Sequence, residues 1–225
     1  MNSKGKLLLG AIAKCIVGFI MITLLLFVPA GTIYYSNGWL FMGILFIPML
    51  MLGVVIWVKS PDLLRRRLDS KEKRQIQQGV IKYSGLLFVI GFVVAGLDYR
   101  CGWSSVPSWI SISSAVLFLF GYTLYGEVMR ENIWLSRTIQ VEKEQNVITT
   151  GFYSIVRHPM YSATLLMFLP MPLILGSWWA VPIFCLYIPL IVRRILDEEK
   201  LLLNELNGYK EYCAKRHWRL IPLVW

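Results

Sequence analysis

Two short stretches of this 225-residue chain concentrate the side chains able to bind and orient a small polar molecule. The first is Gln145-Asn146-Val147-Ile148-Thr149-Thr150-Gly151-Phe152-Tyr153, which continues to Arg157-His158-Pro159-Met160-Tyr161. The second is Arg194-Ile195-Leu196-Asp197-Glu198-Glu199, followed by Gly208-Tyr209-Lys210-Glu211-Tyr212. A guanidinium such as Arg194 can grip a carboxylate through two parallel hydrogen bonds. An ionised Glu198 can accept from hydroxyl and amino groups, and the faces of Tyr153 and Tyr161 attract cations. His158 or Glu199 could serve as a base for a reacting group with a proton to lose. Each piece also has a plain structural reading: His158-Pro159 as an anchored helix start, Glu198-Glu199 as a solvated helix face. It is their joint order and spacing that points to a site.

The elements that must position these residues cross a membrane. The chain is 56% hydrophobic and only 16% charged, against about a quarter charged in a soluble domain. The charges fall in short stretches between long apolar runs, whereas a soluble fold would spread them over its surface. The net charge of +10 could mark a nucleic-acid binder. Its placement in loops beside apolar runs favours the positive-inside rule, so no nucleic-acid partner is expected. Residues 59–82 carry Arg65-Arg66-Arg67, Lys71, Lys73 and Arg74 among others, and are expected in the cytoplasm. Cys15, Cys101, Cys185 and Cys213 are scattered, with no metal or redox spacing.

Spans are expected at residues 15–35, 39–57, 83–97 and 109–126, each near the length a bilayer crossing needs. A secretory leader is the rival for the first run, which is too long for a typical leader core. Residues 160–192 are apolar but too long for one span, and Pro170, Pro172 and Pro182 interrupt them. Gly176-Ser177 at the middle is a turn signal, and Trp178-Trp179 suit an interface. The expectation is a hairpin of two short helices; the alternative is one kinked, tilted span. A helix is expected over residues 193–206, stopped near Gly208. The fold is therefore all-α: four spans, a C-terminal helical hairpin and a helical tail. Residues 1–126 form the N-terminal spans and 127–225 the working region, with both termini cytoplasmic in a cell membrane. Charges inside the bilayer, the usual mark of ion-coupled transport, are nearly absent. Lys14, Asp98, Arg100 and Glu127 sit at span ends and read as interfacial anchors.

The pattern Val147-Ile148-x-x-Gly151-x-Tyr153-x-x-x-Arg157-His158-Pro159-x-Tyr161, an apolar hairpin, Glu198-Glu199 and Gly208-Tyr209-x-x-Tyr212 resembles the isoprenylcysteine carboxyl methyltransferase family. That family stands within a wider group of membrane methyltransferases that includes phospholipid methyltransferases. The closing Arg219-Leu220-Ile221-Pro222-Leu223-Val224-Trp225 resembles the ending of bacterial members. The resemblance covers about residues 127–225 and is more specific for the group than for its substrate.

The resemblance implies S-adenosylmethionine as methyl donor, no metal, and a lipid-like or amphipathic acceptor. Donor contacts would come from Gln140, Gln145, Val147, Ile148, Tyr153, His158, Pro159, Met160, Tyr161 and Glu198. Arg194 would face the substrate. An amine acceptor would need His158 or Glu199 as base, whereas a carboxylate acceptor needs mainly alignment and exclusion of water. A bacterial-like ending sits awkwardly with a prenylated protein as acceptor. The rivals are a membrane reductase using a nicotinamide cofactor and a non-enzymatic membrane module.

Overall fold

The computed structural model describes residues 3–68, 72, 74–136, 138, 139, 141 and 145–225. Gln140, an expected donor contact, lies outside them. The described residues form helices α1 (Ser3–Ala30), α2 (Ser36–Lys59), α3 (Pro61–Leu68), α4 (Gln75–Cys101), α5 (Ser108–Glu131), α6 (Pro159–Phe168), α7 (Met171–Ile174), α8 (Ala180–Cys185), α9 (Tyr187–Glu205) and α10 (Tyr209–Lys215), with no strand. Helices α1, α2, α4 and α5 are long and apolar enough to cross a membrane. Their outward faces carry large exposed apolar side chains, among them Val17, Val28, Met51, Val54 and Phe120. That much contiguous apolar surface is at home in lipid and not in water. Exposed Trp39, Trp103, Trp109, Trp178 and Trp179 mark the end of the bundle where the hairpin turns.

Four features differ from the sequence reading. Helix α1 runs from Ser3 to Ala30 where the sequence reading has a span over residues 15–35: the turns before residue 15 are already helical, and the helix ends before Gly31 at φ +68°. Helix α4 starts at Gln75 and not near residue 83, because the polar turns before the apolar run continue the helix without a break. The loop after α2 contains α3, which buries Leu63 and Leu64 and turns its arginines toward neighbouring segments. The tail helix is no separate element: α9 runs unbroken from Tyr187 to Glu205, carrying the hairpin's second arm and the polar residues on one rod.

The long apolar stretch is a hairpin. Its first arm, α6 and α7, packs on α5, and its second, α8 and α9, packs on α4. Close approach of the second arm rests on Gly91, where a Cβ would stand 2.4 Å from a ring carbon of Phe184. The turn uses Gly176 at φ +82°, a region that favours glycine.

A broken helix inside a bilayer leaves carbonyls with no water to satisfy them. The fold supplies protein donors instead. Ser111 Oγ donates to Leu173 O at 2.8 Å, Asn37 Nδ2 to Ile174 O at 2.9 Å, and Tyr35 OH to Leu175 O. Asp98, expected as an interfacial anchor, is fully buried behind the turn. It accepts from Ser177 Oγ at 2.5 Å, Ser104 Oγ at 2.6 Å and the Ser104 amide at 2.7 Å. The helix α4 residue thus pins both the hairpin tip and the loop before α5.

Candidate active site

The other end of the hairpin brings the two polar stretches together. Pro159 begins α6, and His158 before it offers its carbonyl to the amides of Tyr161 and Ser162. The chain entering α6 is held in place by the tail: the amides of Arg157 and His158 donate to Trp218 O and Arg219 O, each at 2.9 Å. Opposite, the helical repeat of α9 puts Arg194 and Glu198 on one face, four residues apart. Tyr161 OH donates to Glu198 Oε2 at 2.5 Å and accepts from Arg194 Nε at 2.9 Å. A single tyrosine therefore links cation and carboxylate across the hairpin. It also shows that both ends of the hairpin meet at one face, which a single span could not give.

Glu199 points another way. Arg157 Nη1 stands 3.0 Å from Oε1, His158 Nε2 3.2 Å from Oε1 and Arg219 Nε 2.8 Å from Oε2. Burial alone would raise the Glu199 pKa. Hydrogen bonds from His158 and Arg219 and the charge of Arg157 overcome that, and hold it at about 2. An ionised carboxylate only accepts, so the facing His158 Nε2 carries the proton. Neither group is then a free proton acceptor at this contact.

Asp197 is occupied as well. Arg74 Nε and Nη2 reach its two oxygens at 3.1 and 2.6 Å, and Gln77 Nε2 donates to it at 2.6 Å. The Arg74 hydrogen bond leads in holding its pKa below the usual carboxylate value. This cluster fastens the start of α4 to α9.

A continuous cavity of about 730 Å³ opens beside Glu198, within the size range of cofactor and ligand sites. Arg194, His158, Gln145, Val147, Ile148, Tyr153, Met160, Tyr161 and Glu198 all line it. Pro159 and Glu199 are not among the lining residues: the first is consumed by the helix start, the second by the ion cluster. The opposite portion is apolar, with Leu45, Met49, Leu52 and Gly53 of α2 facing Ser84, Gly85 and Phe88 of α4. A Cβ built on Gly53 or Gly85 meets nothing within 4 Å, so the gap between these helices is open.

Sequence reasoning missed several lining groups. Asn132 supports the Tyr153 hydroxyl at 2.9 Å and Arg67 reaches in from α3, while Tyr209 and Tyr212, named in the second polar stretch but given no site role, enter from α10. Tyr209 is 3% exposed, and its hydroxyl has no hydrogen-bond partner among the described residues. Burial, then the negative charge of Glu199, pushes its pKa far up, so it remains a donor. The Gly208-Tyr209-x-x-Tyr212 spacing was the signal available for these tyrosines.

A buried donor in search of an acceptor, an acceptor carboxylate at Glu198 and a lining of tyrosine faces suit a polar organic cation with hydroxyls and a carboxylate. S-adenosylmethionine is such a molecule, and these residues fit it.

Comparisons with known proteins agree with the class. The family described as phospholipid methyltransferase matches residues 109–208, taking in α5, the hairpin and α9. A 91-residue segment, 39% of the chain, is 32% identical to the Delta(14)-sterol reductase of Mus musculus. That segment spans about a fifth of the relative, 22% of its length. The matched region contributes Tyr153, His158, Tyr161, Arg194 and Glu198, among others, to the cavity wall, while α2, α3, α4 and α10 contribute the rest.

Proposed function

We propose that this protein transfers a methyl group from S-adenosylmethionine to an amphipathic acceptor drawn from the bilayer. The observation that carries this reading is one cavity with a polar end at Tyr209, Tyr161 and Glu198 and an apolar end between α2 and α4. The family match over residues 109–208 supports it. The donor supplies an electrophilic methyl on a sulfonium.

The chain's own residues would do the rest. Glu198 would accept from the donor's hydroxyl or amino groups, while Tyr209 donates to it. Gln145, Val147 and Ile148 would line the donor's outer side, and Tyr153, Met160 and His158 its inner side. Arg194, steadied by Tyr161 OH, would orient a carboxylate acceptor toward the methyl. Alignment in a site that excludes water can supply most of the acceleration for such a displacement. In its finer form the reaction most resembles that of a protein-S-isoprenylcysteine carboxyl O-methyltransferase, with a phospholipid or small-molecule N- or S-methyltransferase as alternative. The site would face the cytosol, where the donor is made available.

The test is labelled methyl transfer by the purified protein to prenylcysteine analogues, phosphatidylethanolamine and small thiols. Label should enter one class, and Arg194→Ala should lower transfer to a carboxylate more than to an amine. A folded sample that binds neither S-adenosylmethionine nor S-adenosylhomocysteine in calorimetry would falsify the reading. The similarity to Delta(14)-sterol reductase favours one second reading, a reductase. Fluorescence quenching by a nicotinamide cofactor would identify it.

A further inference from the structure

The cavity wall contains three guanidiniums, from Arg67, Arg157 and Arg194. Their charges are not equally met. Arg157 stands 3.0 Å from Glu199, and Arg194 is joined to Glu198 through Tyr161 OH. Among the described residues Arg67 has neutral company only. Its Nη2 reaches Tyr125 OH, its Nη1 donates to Ser136 O at 3.4 Å, and its guanidinium lies 5.5 Å from the Tyr125 ring centroid. Among the described residues no carboxylate pairs with it. A half-buried cation held by neutral groups is costly unless an anion joins it.

The setting says where that anion comes from. Arg67 projects from α3, which follows α2, and Tyr125 lies on α5; both line the same cavity as the apolar residues of α2 and α4. An amphiphile whose chain lies along Leu45, Met49 and Gly53 would carry its head to this point. The planar guanidinium, pre-oriented by Tyr125, suits a phosphate or a carboxylate equally.

We infer that Arg67, positioned by Tyr125, receives an anionic group of the membrane-borne acceptor other than the group that Arg194 would orient, so that the protein selects acidic amphiphiles over neutral ones. The word acceptor rests on the methyltransferase reading; the anion site itself does not.

The probes are dodecyl phosphate, dodecanoate and dodecanol, three amphiphiles with the same length of chain, titrated into protein in a maltoside detergent. Wild type should bind one or both anions about 10-fold more tightly than dodecanol, the scale of a charge-assisted hydrogen bond. The anion preferred identifies the head-group chemistry. Arg67→Gln should abolish the preference and leave S-adenosylhomocysteine affinity unchanged, whereas Arg194→Gln should keep the preference. Tyr125→Phe, which keeps the ring and loses the hydroxyl, should lower the preference about threefold, and decides the matter if Arg67→Gln does not fold.

A preference that is absent from wild type, that survives in both Arg67→Gln and Tyr125→Phe, or that Arg194→Gln removes, overturns the proposal. So does a fall in S-adenosylhomocysteine affinity matching the loss of anion binding, because Arg67 would then hold the donor's carboxylate. Wild type that binds the anions through Arg67 but not S-adenosylhomocysteine would leave the anion site standing and remove the methyltransferase reading.

Discussion

The two ends of the hairpin solve the same problem in opposite ways. At the tip, Asp98 is buried with hydroxyls and one amide for company, and no cation pairs with it among the described residues. At the base, Glu199 is buried among Arg157, His158 and Arg219. At the tip, hydroxyl and amide donors meet Asp98 and the carbonyls of Leu173, Ile174 and Leu175, and none of these residues lines the cavity at the base. The base saturates Glu199 and Asp197 but leaves Glu198 at a cavity wall with Tyr161 as its partner. Adjacent carboxylates on one helix point about 100° apart, and here that angle separates a carboxylate saturated by cations from one at the cavity wall. Structural carboxylates have every oxygen spoken for, and a binding carboxylate keeps capacity in reserve.

The largest expected effect breaks the base. Glu199→Gln keeps the volume and removes the charge, leaving two arginines and a histidine without their common anion. It should cost about 3 kcal/mol or more, read as a lower thermal midpoint of helical circular dichroism in detergent.

Acid should act through the same residue. The Glu199 pKa lies at about 2 in the fold, against an ordinary 4.5, so the folded state releases its proton more readily than the unfolded. Its contribution is fully present above about pH 4.5 and lost as pH falls through about 2. The contribution is on the order of 2 kcal/mol, allowing for solvent screening. A stability profile of Glu199→Gln should be flatter in that window; an identical slope would contradict the ion cluster.

Next is the binding carboxylate. Glu198→Ala should weaken S-adenosylhomocysteine about 10-fold or more, the scale of a hydrogen bond to a charged group, with little change in thermal midpoint. Equal affinity in the two proteins would refute its role. The smallest effect belongs to the tip. Asp98→Asn keeps one acceptor, and the serine hydroxyls can rotate to accept from the new amide. It should cost about 1 kcal/mol and leave donor affinity untouched, since the tip and the site lie at opposite ends of the bundle. A loss comparable to that of Glu199→Gln would erase the contrast.

Much of this plan was legible in the chain. Apolar runs located the spans, and Gly176-Ser177 located the turn that joins the hairpin arms. That turn implied that the segments of His158 and Glu198 would meet, and the Tyr161–Glu198 and His158–Glu199 hydrogen bonds join them. The roles of Asp98, Glu199 and Arg67 were not legible. Asp98 reads as an anchor because its partners Ser104 and Ser177 are neutral and one lies 79 residues away. Glu199 reads as a candidate base because adjacent glutamates look alike until the helix orients them. Arg67 sits in a run of three arginines whose positions say only that they avoid lipid.

The sequence by itself determined which segments leave water and where the chain must turn back. Both follow from hydropathy and local backbone preference, which act over a few residues. The tertiary structure alone decided which carboxylate is saturated, which guanidinium has neutral partners among the described residues and how the cavity joins a polar end to an apolar one. Those outcomes depend on groups far apart in the chain, whose distances exist only after α4, α5 and the hairpin have packed.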